Sequence, residues 1–216
     1  MTTPLLEQRP VIPRPAASLV IYEKKQNDIY VLMGRRAKAH RFLPNVYVFP
    51  GGRVDAADAM CEPLAPLPEH VARRLSRPAG MAHAVATAAV RETHEETGLV
   101  IGDIRNGALV PDLSNLDYIA RAITPPISPI RFNTRFLSID ARHVTGTLQD
   151  SRELIDLQWV TLTEALKMPL VDVTEFVLGE IGRRVSTSAQ TTSAPAGIPL
   201  FRYIKGKPRI RSIDHD

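Results

Sequence analysis

Apolar and β-branched residues first gather at residues 17–22 (Ala-Ser-Leu-Val-Ile-Tyr), and the run predicts a strand. A polar stretch at 23–28 reads as a turn, and residues 29–33 (Ile-Tyr-Val-Leu-Met) read as the returning strand of a hairpin. Residues 46–49 form another short β-prone run, which Pro50, Gly51 and Gly52 stop. From 59 to 80 the chain is rich in Pro and Ala, with a short helix expected near 69–75. Residues 81–97 hold no Pro or Gly and are rich in Ala and Glu, so they predict a long helix, with Gly98 placed for a left-handed C-terminal cap. Further strands are expected at 118–123, 131–139 and 157–160, and a helical turn at 163–167. Asp172 with Glu175 three residues on resembles a capping box opening a helix to about residue 184. Residues 186–197 read as a Ser/Thr/Ala/Pro linker, and 198–213 as a strand pair or an ordered tail. Strands and helices without regular βα alternation indicate an α+β fold or a mixed-sheet sandwich.

The chain is 216 residues long, which suits one domain with extensions better than two. At 44% hydrophobic and 23% charged it is globular in composition, long enough to bury a core without staples. Cys61 is the single cysteine, so neither an intramolecular disulfide nor a multi-cysteine zinc site is available, which suits a reducing compartment. The opening residues lack the apolar stretch of a signal peptide, and no apolar run approaches the ~20 residues of a membrane span. These features predict a cytoplasmic protein that binds no membrane. The net charge of +4 is too small to require a nucleic-acid partner. Basic residues nevertheless cluster at Arg35, Arg36, Lys38, His40 and Arg41, and again from Lys205 to Arg211.

Candidate chemistry lies in the long helix. Glu92, Glu95 and Glu96 are spaced i, i+3, i+4 and so share one face. Like charges at that spacing repel by ~0.2–0.5 kcal/mol per pair, which Arg91, four residues before Glu95, offsets only in part. A hard divalent cation would convert the repulsion into coordination. Two acidic residues alone would more often mark a solvated face. Here, however, Phe49-Pro-Gly-Gly52 precedes the helix, which reads Arg91-Glu-Thr-His-Glu-Glu-Thr-Gly-Leu99. The combination resembles the Nudix box, G-x5-E-x7-R-E-U-x-E-E-x-G-U with U a bulky apolar residue. Its second half is met by Arg91, Glu92, Glu95, Glu96, Gly98 and Leu99. Thr93 departs from it by standing at the first U. The first half reads G-x5-D, ending on Asp58, and residues 59–90 fill 32 positions where the pattern has seven. An interrupted box of this kind resembles the Nudix branch of peroxisomal coenzyme A diphosphatases.

The resemblance implies an α/β/α sandwich around a mixed sheet, over residues 16–185, with an N-terminal arm (1–15), an insertion (about 59–80) and a basic C-terminal extension (186–216). It implies metal-dependent hydrolysis of a nucleoside diphosphate linked to another group, with coenzyme A or an acyl-coenzyme A as the candidate compound. The alternatives are an ADP-ribose or NADH pyrophosphatase, and a sensor that binds nucleotide without cutting it; the intact Glu92, Glu95 and Glu96 set argues against the sensor. Glu92, Glu95 and Glu96 would hold Mg²⁺ or Mn²⁺ with a carbonyl of Gly51 or Gly52, and Arg91 would orient a glutamate. Glu153 is the candidate base or extra ligand. Arg35, Arg36, Arg41 and Arg53 are candidates to neutralise substrate phosphates. Phe132, Phe136 and Tyr118 are candidates to stack on a base, although aromatics on strands are usually core. A homodimer is compatible with family habit.

Overall fold

The computed structural model describes residues 11–38, 43–76, 80–187 and 197–213. The first hairpin forms as the pattern predicts, from β1 (Arg14–Lys25) and β2 (Asp28–Arg36), but β1 begins earlier, inside the stretch expected to be an arm. Short strands β3 (Tyr47–Val48) and β4 (Gly51–Arg53) pair with β2 and β1. A 3₁₀ turn at Ala56–Ala59 and helix α1 (Glu69–Leu75) lead to the long helix α2 (Ala82–Thr97). Four short strands follow: β5 (Leu99–Val100), β6 (Gly102–Arg105), β7 (Ala108–Pro111) and, later, β10 (Thr145–Gly146), which pairs with β5. The main sheet continues in β8 (Asp117–Ile123), β9 (Phe132–Asp140) and β11 (Leu154–Thr161). Helices α3 (Leu162–Ala165) and α4 (Asp172–Thr187) precede the closing hairpin β12 (Ile198–Ile204) and β13 (Lys207–Ile213).

Among the described residues these strands make one mixed sheet ordered β11-β2-β1-β9-β8-β12-β13, with β3 and β4 attached to β2 and β1. The β1–β9 and β8–β12 pairings are parallel and the rest antiparallel. A central strand must be apolar on both faces, and β1 is: Ala17, Leu19 and Ile21 enter one core, and Val20 the other. The first core lies under α1 and α2. Ala86, Ala88, Ala89 and Val90 let α2 settle closely on the sheet there. The second core, with Val31, Met33, Phe136 and Phe201, lies under α3 and α4. The result is the expected α/β/α sandwich.

Local chemistry explains several details. Thr93, where the pattern favours an aliphatic residue, is fully buried yet satisfied, because its hydroxyl donates to the Ala89 carbonyl at 2.7 Å. The capping box occurs at Thr161 and Glu164, at the head of α3. Asp172 instead accepts the amide of its neighbour Val173. The insertion folds back on the domain, with Val71 and Leu75 of α1 buried in the first core. The β6–β7 hairpin gives no clear pattern in sequence, since its first strand is exposed throughout. No helix among the described residues is long and apolar enough to cross a membrane.

Gly98 ends α2 at φ 73°, with its amide donating to the His94 carbonyl at 2.9 Å. A Cβ there would stand 2.9 Å from the Thr147 carbonyl oxygen. Gly98→Ala is expected to cost about 1–2 kcal/mol, combining left-handed strain with that contact, as measured by chemical denaturation. An unchanged midpoint would show that the cap is not strained by a side chain.

Candidate active site

Gly51 and Gly52 bring the turn after β3 against the carboxylate face of α2. The Gly51 amide donates to Glu96 Oε2 at 2.8 Å. A Cβ on Gly51 would meet the Ala17 carbonyl oxygen at 2.4 Å and Ser18 Cα at 2.6 Å, so β4 can lie on β1 only without one. A Cβ on Gly52 would fall 2.4 Å from the Glu92 carboxyl group. The two glycines thus create space for different neighbours, the backbone of β1 and the side chain of Glu92.

Arg91 binds the separated halves of the motif together. Its Nε and Nη2 donate to the two oxygens of Asp58, at 2.8 and 3.1 Å. Nη1 reaches Glu92 at 3.0 Å and Glu95 at 3.1 Å, and Nη2 also donates to the Arg53 carbonyl at 3.0 Å. The Asp58 side chain is 1% exposed, and it also accepts the Asp55 amide at 2.7 Å. Its oxygens are therefore occupied in fixing Arg91. The 59–90 excursion separates Asp58 from Arg91 in sequence and returns the chain to the same place.

Glu92 lies beside this network, Glu95 is the most exposed of the three, and Glu96 sits deeper behind Gly51. Burial pushes the Glu96 carboxyl up to about 8, and the nearby charges of Glu92 and Glu153 push the same way against the Gly51 amide and Arg36. Burial also raises Glu92, with Arg91 opposing. Glu153 enters on the loop before β11, where its carbonyl accepts the Ala37 amide at 3.0 Å. Among the described residues no three His, Cys, Asp or Glu side chains are grouped so that they could by themselves hold a metal ion. The arrangement fits an open site, because magnesium usually takes few protein oxygens and keeps several waters. The Glu92 and Glu96 carboxyls, whose proton affinity burial raises, are donors that such an ion would neutralise.

Most of these groups line one end of a cavity of about 590 Å³, within the range of small-molecule sites, whereas Glu96 stands behind Gly51 and is not part of its wall. Glu92, Glu95, Glu153, Arg36, Arg53 and Arg91 stand at that end, and Phe132, Phe136, Phe201 and Tyr203 give other parts of its wall an aromatic character. Of the arginines expected to meet phosphate, Arg36 and Arg53 line the cavity. Arg35 does not: the alternation of β2 turns it to the other face, 3.6 Å from Asp156. Arg41 lies outside the described residues. Tyr118 is buried in the core under α2 and does not reach the cavity. Phe201 and Tyr203 were not singled out in the sequence, where only their i, i+2 spacing in residues 198–204 distinguishes them.

The sequence pattern of the NUDIX domain matches residues 12–176. The chain belongs to the NUDIX family. Its structure is similar to a NUDIX hydrolase from Alicyclobacillus acidocaldarius, at 27% identity and a TM-score of 0.62, over 85% of this chain and 99% of that one. The NUDIX domain of Shewanella oneidensis NrtR, solved with ADP ribose, shares the fold at 15% identity and a TM-score of 0.53, over 81% and 90% of the two chains. A MutT NUDIX hydrolase from Burkholderia pseudomallei does so at 17% identity and 0.50, over 79% and 99%. No curated protein matches the chain in sequence. As a NUDIX enzyme it is a pyrophosphohydrolase, of a family that generally uses divalent metals such as Mg²⁺ or Mn²⁺.

Two outcomes follow from this NUDIX site. Gly51→Ala is expected to destabilise the fold by at least about 2 kcal/mol, whereas Gly52→Ala is expected to fold and to bind Mn²⁺ at least about tenfold more weakly. Denaturation and Mn²⁺ titration of both variants check this, and equal effects on both properties would refute the division. The second concerns pH. Glu96 ionises near 8 when folded but near 4.5 when unfolded, so between those values the folded state holds the extra proton. Its stabilisation is complete below about 4.5 and is lost as pH rises towards 8. In chelator, the melting temperature of Glu96→Gln relative to wild type is therefore expected to climb as pH rises from about 5 to about 8. A constant difference would contradict the shift.

Proposed function

We propose that this site hydrolyses the pyrophosphate bond of a nucleoside diphosphate linked to another group. The observation that supports it most is the spatial closure of the motif, with Arg91 joining Asp58, Glu92 and Glu95 while Gly51 holds Glu96. Glu92, Glu95 and Glu96 would hold Mg²⁺ or Mn²⁺, with a carbonyl of Gly51 or Gly52 as a further oxygen. When bound, the ion neutralises phosphate charge and lowers the pKa of water. Arg91 keeps the glutamates oriented, and its own charge is secured by hydrogen bonding to Asp58, which raises its pKa. Arg36 and Arg53 line the cavity where they can meet phosphate oxygens. Glu153 faces the same space as base or extra ligand, and its charge acts on Glu92, Glu96 and Arg36.

The resemblance of the interrupted box favours coenzyme A or an acyl-coenzyme A as substrate. A panel of coenzyme A compounds, ADP-ribose, NADH and dinucleoside polyphosphates, with Mg²⁺ or Mn²⁺ and separation of products, identifies the compound. On that compound Glu96→Gln is expected to lose at least about a hundredfold in turnover, and Glu153→Gln between about ten- and a thousandfold, both remaining folded. Near-normal turnover by Glu96→Gln would overturn the proposal.

A further inference from the structure

The aromatic part of the cavity has an order that the sheet imposes. Strand β8 runs between β9 and β12, and Ala122 lies opposite Thr134 on one side and Phe201 on the other. Two residues along, the Thr124 amide donates to the Phe132 carbonyl at 3.0 Å, and the Phe132 amide donates to the Thr124 hydroxyl at 3.0 Å. Because side chains alternate between faces, Phe132 on β9, Ala122 on β8, and Phe201 and Tyr203 on β12 share one face, and Thr124, just past the end of β8, lines the same cavity. Small residues therefore floor a trough between two aromatic walls.

Its dimensions suit a flat ring. Strands β9 and β12 are two spacings apart, roughly 9.5 Å, and a ring touching both walls needs two separations of about 3.5 Å. Tyr203 is braced edge-on against Phe201 at 5.8 Å and 79°, and Phe201 in turn packs 5.3 Å from Phe176 of α4. The wall is thus anchored at its base and half-buried at Tyr203. Thr124 and Thr134 add hydroxyls to the lining, and Ser128 another. Hydroxyls have partners on the edge of a heterocyclic base and none on an alkyl chain.

We infer that Tyr203, with Phe132 opposite, forms the slot that selects the nucleobase of the substrate. This rests on the hydrolase reading for the identity of the ligand, but it assigns a role to a hairpin lying beyond residues 12–176 that carry the family pattern. Specificity then comes from an element separate in sequence from the carboxylate helix.

The test is calorimetric titration of the full chain, in Mg²⁺, with the four common nucleoside 5′-monophosphates and with ribose 5-phosphate, which lacks a base. Wild type is expected to bind at least one nucleotide about tenfold or more tighter than ribose 5-phosphate. Tyr203→Ala should reduce that preference to under about threefold, and Tyr203→Phe should retain it. Phe132→Leu, on the other wall, should reproduce the loss should Tyr203→Ala fail to fold. Equal binding of nucleotide and ribose 5-phosphate by wild type, or a preference that survives in folded Tyr203→Ala, overturns the slot. Binding is read without turnover, so an inactive wild type that prefers a nucleotide keeps the slot and removes the hydrolase. An active wild type with no preference does the reverse.

Discussion

The ion pair between Arg91 and Asp58 is the contact on which the rest of the site depends. Asp58 is almost wholly removed from water, and an unpaired carboxylate there would be costly; losing one partner of a buried pair typically costs about 3–5 kcal/mol. The Arg91 side chain is 25% exposed, which places this pair towards the lower end. Its structural reach is larger than its energy. One guanidinium joins the 3₁₀ turn after β4, the β4 backbone at Arg53 and two glutamates of α2. Planarity makes this possible, because five N–H groups in a fixed fork hold several acceptors in one geometry. Glu92 and Glu95 are therefore oriented before any ion arrives, and Asp58 is the fixed point for all of them.

Much of this was legible from local pattern. The first hairpin, α1, α2 and the cap at Gly98 follow from β-branched runs, an Ala/Glu-rich stretch and a glycine, all properties of neighbouring residues. Clustering of Glu92, Glu95 and Glu96 on one face follows from helical period alone. What could not be read was distance. Asp58 and Arg91 are 33 positions apart, and only the docking of α1 through Val71 and Leu75 shows that the excursion closes on itself. Arg35 and Arg36 illustrate the same limit at a smaller scale. They look alike in sequence, yet strand alternation sends one to Asp156 and the other to the cavity. The strand expected at 157–160 starts three residues sooner, because a bulge with Asp156 at φ 56° breaks the alternation that would have revealed it.

The C-terminal basic cluster also takes its meaning from the sheet. Lys207, Arg209 and Arg211 belong to β13, the open edge, where unpaired backbone groups invite another strand. Charge and the missing amide of Pro208 both oppose such pairing. A cluster that sequence shows only as a run of basic residues is thus a means of ending the sheet. Strand β13 in turn covers β12, so that β12 need not be an edge itself and can present Phe201 and Tyr203 from a paired strand.

The two ends of the cavity consequently rest on different physics. At the carboxylate end the energy is electrostatic and conditional: burial disfavours the charged form of Glu96, a cost that protonation or a cation relieves. At the aromatic end it is steric and standing, since Phe201 is held by Phe176 whether or not a ligand is present. Binding at the first end responds to pH and metal, whereas selection at the second follows shape. Strand β9 connects them directly, because its parallel pairing with β1 places Thr134 beside Ala16 and Arg135 beside Ala17, next to the β4 register that positions Gly51 and Gly52. A substrate spanning the cavity would therefore be measured against one rigid sheet, with its charged and flat portions held at a separation set by backbone hydrogen bonds rather than by mobile side chains.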